Sequence, residues 1–445
     1  MADNFLAQEF GKSQNYTDIP NNLFKEYNVK KGLRNEDGTG VRVGLTRVSD
    51  VVGYEMDEKG VKQNCRGKLY YRGYKLTDIV DANFDAVDGY EEVMFLLLFG
   101  FLPNKREFDE FKSIFRKQYS LPDEFLEMNL LRMPSQNLMN RLQHAILTLY
   151  SYDEDPDNTD VFPTLLKGLQ ICAKLPTIAI YAYQTKMHYY NHESLIIHYP
   201  REDYSVAENI LYMLRADRKF THKEAALMDV MLMIHADHGG GNNSTFANVV
   251  VSSTGTDLYS AVAASIGSLK GPKHGGANIR VAQMMDAVIK EIGYSEDEDK
   301  IKDILNRILD KDFYDKSGLV YGFGHAVYTL SDPRAELLRE TCGIVAEEKK
   351  RMHDFEFYVR FEKVAREVIE KRKGNPISNN VDYYSGFAYD MLGIPRDLYT
   401  PIFVCARTVG WVAHNIENKL YDGRIMRPAT KFVGEEMSYI PIKDR

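Results

Sequence analysis

Past a short N-terminal stretch, the apolar residues of this chain recur at helical intervals, and strand-like alternation never returns between them. That pattern excludes a parallel sheet with crossover helices, because each such unit needs strands on both sides of its helix. Three segments carry the reading. Ser295-Glu296-Asp297-Glu298 has the spacing of a capping box and opens a run whose Ile301, Ile304, Leu305, Ile308 and Leu309 share one helical face. From Phe361 the same spacing returns at Val364, Ala365, Val368 and Ile369 and stops at Gly374, with Pro376 just beyond. Asp257 to Leu269 sets Leu258, Val262, Ile266 and Leu269 on one face and delivers the chain to His274. The first forty residues are polar and weakly patterned. Alternation is limited to Val41, Val43 and Leu45 and to Leu69-Tyr70-Tyr71, with a turn-like Asp57-Glu58-Lys59-Gly60 between them, which predicts one small β-hairpin. The expected fold class is mainly α.

A chain of 445 residues has room for two or three domains. Its net charge of -8 gives no general attraction to nucleic acid or to an anionic membrane, so any anion must be bound locally. The longest apolar runs, such as Val93 to Leu98, are far too short to span a bilayer. Cys65, Cys172, Cys342 and Cys405 form no CxxC pair, which argues against a disulfide framework or a thiolate zinc site and for a reducing, cytoplasmic setting. The N-terminus has no pattern of a secretory or transit leader.

Three separated segments each wrap one ionisable side chain in small or turn-forming residues: His274 in Gly271 to Asn278, His325 in Gly322 to Tyr328, and Asp382 in Asn380 to Gly386. Two imidazoles and a carboxylate suit acid/base chemistry. Gly322-Phe323-Gly324 opens like a dinucleotide fingerprint, but Val327 stands where the third glycine belongs, and no Ser or Thr follows Lys273 as a phosphate loop requires. A histidine before a helix N-terminus is favoured in its neutral form, which suits His274 as a hydrogen-bond donor. Asp382 is either a turn or cap residue or, partly desolvated beside aromatics, a base. His235-Ala236-Asp237-His238 spaces two histidines for one helix face, so the pair reads as a helix-end pair, a substrate contact or a metal site. Arg334, Arg407 and Arg427 stand among apolar or turn residues, a placement that fits either internal ion pairs or a multiply anionic ligand.

Taken in order, His235-Ala236-Asp237-His238, Gly271-Pro272-Lys273-His274-Gly275-Gly276-Ala277-Asn278, Gly322-Phe323-Gly324-His325, Asp332-Pro333-Arg334, Asn380 to Gly386, Ala406 to His414 and Arg427-Pro428 resemble the citrate synthase family, in its type I, homodimeric bacterial form. The likeness begins near Gly67 to Tyr74 and runs almost to the C-terminus. It implies a multi-helical fold with a large domain of residues 1-280 and 395-445 and a smaller inserted helical domain of residues 281-394, closing over a cleft. It implies condensation of acetyl-CoA with oxaloacetate and water to citrate and CoA, with neither metal nor cofactor. By the same resemblance His274 polarises the acetyl carbonyl, Asp382 removes a methyl proton and His325 binds the oxaloacetate ketone. His238, Arg334 and Arg407 hold oxaloacetate together with Arg427 from the neighbouring subunit of a homodimer. Gly275, Gly276, Ala277, Asn278, Ala326 and Val327 are the expected CoA contacts. Departures from the family are Thr329, where a cation for a CoA phosphate is common, Ile279, and Met133-Pro134-Ser135. The rival readings are a 2-methylcitrate synthase acting on propionyl-CoA, a metal-dependent hydrolase using His235 and His238, and a non-catalytic helical scaffold.

Overall fold

The computed structural model describes every residue except Met1, Asp37, Gly60 and Asp422, and no side chain of residues 2–4 or 13–17. The chain divides into two units, Thr46–Ile425 and a smaller one made of Met1–Leu45 with Met426–Arg445. In the smaller unit the weakly patterned start is helical, as α1 (Ala2–Thr17) and α2 (Asn21–Glu26). Its apolar residues Phe5, Leu6 and Phe10 are exposed, so no buried stripe marked the helix in the sequence.

The larger unit opens with a sheet rather than a lone hairpin: β1 (Ser49–Met56), β2 (Lys62–Tyr71) and β3 (Tyr74–Lys75), antiparallel in that order. The alternation at Val41 to Leu45 is not a strand; Val43 and Leu45 are 48% and 84% exposed, and among the described residues no strand pairs with them. The true first strand was hidden by Gly53, at which the register against β2 shifts. In the connecting turn, the Asp57 carboxylate accepts the amides of Lys59 at 2.9 Å and Val61 at 2.8 Å; Gly60, part of the expected turn, lies outside the described residues.

Helices make up almost all the rest. α3 (Leu76–Asn83), α4 (Gly89–Phe99), α5 (Lys105–Arg116) and α6 (Leu138–Leu149) lead into the long α7 (Val161–Asn191), followed by α8 (Val206–Leu214) and α9 (His222–His235). From Val93 on, α4 is apolar on every side and correspondingly buried, and its first amides, at Gly89 and Tyr90, donate to Asp229 of α9 at 2.9 and 3.2 Å. α10 (Asn243–Ser252) and α11 (Leu258–Lys270) form a helical hairpin; α12 (Ala277–Ile292), α13 (Glu298–Leu309), α14 (Pro333–Glu348), α15 (Met352–Lys373), α16 (Val381–Met391) and α17 (Tyr399–Leu420) complete the order. α17 packs against α4, α7, α9, α10 and α11, which buries all but its last turns and encloses Trp411.

The three helices expected from periodicity are present as α11, α13 and α15, but the capping box is not. Asp297 is the cap of α13, accepting the Asp299 amide at 2.9 Å, while Ser295 accepts from Asp297 at 3.1 Å. Two short acceptors in succession start the helix two residues later than the motif suggests.

Candidate active site

His325 lies in a loop whose shape is dictated by its neighbours. Gly322 and Gly324 hold φ of 86° and 90°, a region costly for residues with a Cβ. The loop is tied to the entry of α16: Gly324 N donates to the Ser378 carbonyl and Asn380 N to the Gly322 carbonyl, each at 2.8 Å. From the other side the sheet presses against it, so that a Cβ on Gly53 would stand 2.3 Å from the Val327 carbonyl oxygen and one on Gly67 2.2 Å from that of Ser331. A single ring state results. The amides of Val327 and Tyr328 both donate to His325 Nδ1 at 3.1 Å, which leaves the proton on Nε2. The ring stacks on Tyr328 with centroids 4.7 Å apart and meets His238 edge-on at 5.2 Å.

Asp382 stands in the first turn of α16, where Asn380 caps the helix by accepting the Asp382 amide at 3.0 Å. A helix N-terminus alone would favour the carboxylate. Burial outweighs it and pushes the carboxyl up to about 6, against the pull of Arg334 and with a further push from Asp332. Asp382 is therefore not the cap, a place taken by Asn380, but a buried first-turn carboxyl with a raised pKa.

His274 sits in the tight turn between α11 and α12. Gly275 N donates to Leu269 O at 3.0 Å, Thr400 Oγ1 donates to Gly275 O at 3.0 Å, and a Cβ on Gly275 would lie 2.3 Å from Leu269 O. Burial, with Arg407 nearby, lowers the imidazole to about 4, so it is neutral, the state its place before α12 suggested. Its Nε2 is 3.1 Å from Asn242 Oδ1 and 3.2 Å from Ser244 Oγ, and Trp411 Nε1 donates to Ser244 Oγ at 3.1 Å. Asn242, Ser244 and Trp411 were not singled out by the sequence; the glycine run and the Asn-Asn-Ser of residues 242–244, a helix-start signal, was the cue available.

The His235/His238 pair does not share a helix face, because α9 ends at His235. His235 Nδ1 donates to the Met231 carbonyl at 2.7 Å and its ring packs edge-on to Phe403 at 4.8 Å. Among the described residues no group of three or more His, Cys, Asp or Glu is placed to hold a metal ion. His238 turns instead toward His325, with burial, then Arg334, holding its pKa well below the usual histidine range, and its buried Nε2 has no partner among the described residues.

Arg407 is almost fully buried, with Nε donating to the His235 carbonyl at 2.6 Å; its Nη1 is buried without a partner among the described residues, and burial lowers the guanidinium to about 10. Arg334 is not isolated. Asp332, the cap of α14, takes its Nε at 3.0 Å and its Nη2 at 2.7 Å. Its guanidinium also lies 5.8 Å from the Tyr328 ring. These residues, His238, His274, His325, Arg334, Asp382 and Arg407, belong to one unit; Arg427 belongs to the other and is exposed in a stretch without regular structure. Of the expected CoA contacts, Gly276 caps α12 and Asn278 is buried with Oδ1 unpartnered among the described residues, while Val327 serves His325 through its amide.

Three neutral imidazoles, one carboxyl raised to about 6 and two buried cations make a site for moving protons at carbon beside an anion. The family model described as citrate synthase, C-terminal domain, matches residues 36–429. The chain belongs to the citrate synthase family. Citrate synthase of Haloferax volcanii is 37% identical over 385 residues, covering 85% of this chain and 93% of that protein. 2-Methylcitrate synthase 2 of Corynebacterium glutamicum is 31% identical over 92% of this chain and 98% of its own length. Among solved structures, a citrate synthase from Thermoplasma acidophilum in a ternary complex with carboxymethyl coenzyme A and oxaloacetate matches with a TM-score of 0.75 at 27% identity, covering 94% of this chain and 99% of that one. As in citrate synthase relatives, the mainly helical architecture read from periodicity is the one observed.

Proposed function

We propose that this chain condenses acetyl-CoA with oxaloacetate and water to give citrate and CoA. One observation carries the reading: a carboxyl raised to about 6 at Asp382 shares a buried site with two groups, Arg407 Nη1 and His238 Nε2, that lack partners among the described residues. A dianionic substrate supplies the missing acceptors.

In this reading His274 Nε2, 3.1 Å from Asn242 Oδ1 and 3.2 Å from Ser244 Oγ, anchors the ring beside the thioester carbonyl. Asp382 takes a proton from the acetyl methyl group, and neutral His274 stabilises the enolate oxygen by hydrogen bonding. The enolate carbon attacks the oxaloacetate ketone, whose developing alkoxide accepts a hydrogen bond from His325 Nε2 and is then neutralised by the proton that Asp382 took up. Water then hydrolyses the citryl thioester. His238, Arg334 and Arg407 hold the oxaloacetate carboxylates, and Arg427 from a second copy completes the set, which makes the working form a homodimer. Gly275, Gly276, Ala277, Asn278, Ala326 and Val327 meet the CoA arm. Residues 281–394 act as the smaller domain, closing on residues 1–280 and 395–445 to exclude water.

All four cysteines are free, which supports a reducing, cytoplasmic setting. No helix among the described residues is long and apolar enough to cross a membrane. The test is thiol release: CoA should appear from acetyl-CoA only when oxaloacetate is present, and release without it overturns the reading. The 2-methylcitrate synthase relative motivates a second arm, in which a higher kcat/KM for propionyl-CoA than for acetyl-CoA would reassign the substrate.

A further inference from the structure

α17 reads the turn that carries His238 through one stripe of side chains. Positions 407, 410, 414 and 417 fall on a single helix face. Arg407 Nε donates to the His235 carbonyl at 2.6 Å. One turn later Gly410 lets the helix come so close that a Cβ there would stand 2.5 Å from both the Ala236 carbonyl oxygen and Asp237 Oδ1. Another turn on, His414 Nε2 donates to Asp237 Oδ2 at 3.3 Å, and a Cβ on Gly240 would meet the His414 ring at 3.5 Å. His414 is itself held, with Nδ1 3.5 Å from Thr46 Oγ1 and 3.8 Å from Glu417 Oε2.

Asp237 is wholly buried, and its Oδ2 also accepts from Ser49 Oγ and from the Gly239 amide. It therefore anchors the backbone on the C-terminal side of His238, while Tyr71 OH, donating to the Met233 carbonyl at 3.0 Å, anchors the helix before it. No step of the proposed reaction uses Asp237 or His414, yet a buried carboxylate paired with a buried imidazole is costly to maintain without a task.

We propose that the Asp237–His414 pair is a positioning device that sets the distance between His238 and Arg407, so that their unpartnered nitrogens converge on the same dicarboxylate. This rests on the reading of oxaloacetate as the substrate. The fixed helix supplies Arg407, the turn supplies His238, and the pair locks one to the other.

The test uses the full chain, with oxaloacetate affinity measured by calorimetry and both substrates by steady-state kinetics. His414→Leu removes the donor at similar volume and should weaken oxaloacetate at least tenfold, leaving KM for acetyl-CoA within twofold. His414→Gln restores a nitrogen donor and should recover affinity to within threefold of the unsubstituted protein. Where the leucine variant fails to fold, Gly410→Ala presses on the same turn from α17 and should show the same selective loss. Unchanged oxaloacetate affinity in these variants, a parallel loss of both substrates, or glutamine no better than leucine overturns the proposal. Failure of the unsubstituted protein to bind oxaloacetate would instead defeat the underlying reading.

Discussion

Asn380 Nδ2 donates to the Gly324 carbonyl at 2.9 Å while the same side chain accepts the Asp382 amide at 3.0 Å, so one carboxamide joins the loop of His325 to the helix of Asp382. Asn380→Ala should cost about 1 kcal/mol of stability through the lost cap. Asn380→Asp keeps the cap acceptor but gives up the donor to Gly324, and should melt close to the unsubstituted protein while kcat falls about tenfold, or about 1.4 kcal/mol in barrier. Thermal melts beside steady-state rates check the pair; a kcat unchanged in the aspartate variant removes the link.

Asp382→Asn keeps shape and removes the proposed base. Turnover should fall by roughly 10²–10⁴, the usual range for a general base, with oxaloacetate affinity unchanged by calorimetry. Turnover within tenfold of the unsubstituted protein would remove Asp382 from the reaction.

The raised carboxyl also has a pH signature. The proposed mechanism needs the ionised form, so the acid limb of kcat/KM for acetyl-CoA should have its midpoint near 6. Stability runs the other way. Because the folded protein holds this proton more tightly than the unfolded chain, ionisation destabilises the fold progressively between pH 3.8 and about 6 and by a constant amount above. Asp382→Asn should therefore be more stable than the unsubstituted protein at pH 7, by about 2 to 3 kcal/mol. The difference should vanish as pH falls to 4. Urea unfolding at the two pH values measures it, and equal stabilities at pH 7 would contradict the buried setting of the group.

Gly53→Ala places a methyl group where only 2.3 Å separates it from the Val327 carbonyl oxygen. The peptide that must shift carries one of the two amides that hold His325 Nδ1. Loss of kcat by at least tenfold, at a cost in stability of about 1 to 3 kcal/mol, is expected from activity and melting measurements.

The long amphipathic helices were legible because a half-buried helix writes its burial into the sequence every three or four residues, as α13 does with Ile301, Ile304, Leu305 and Ile308. Where burial is complete or absent the writing stops, as in α4 and α1. β1 was missed because its glycine serves the neighbouring loop rather than the strand's own pattern. Within the site, the residue types were readable from their glycine settings and the neutral state of His274 from its place before a helix, but the His325 tautomer was not. It depends on two backbone amides, which are not a property of residue identity. Arg334 looked solitary, although Asp332-Pro333 is itself a helix-start signal that turns the aspartate back toward the arginine.

The buried nitrogens of His238 and Arg407 that lack partners among the described residues are an expense borne by the fold. A ligand that satisfies them returns about 2.7 kcal/mol of resistance to unfolding at a hundredfold excess over its dissociation constant. On the proposed reading, the supply of oxaloacetate thus governs how long each copy of the chain survives heat and proteases, as well as how fast it turns over.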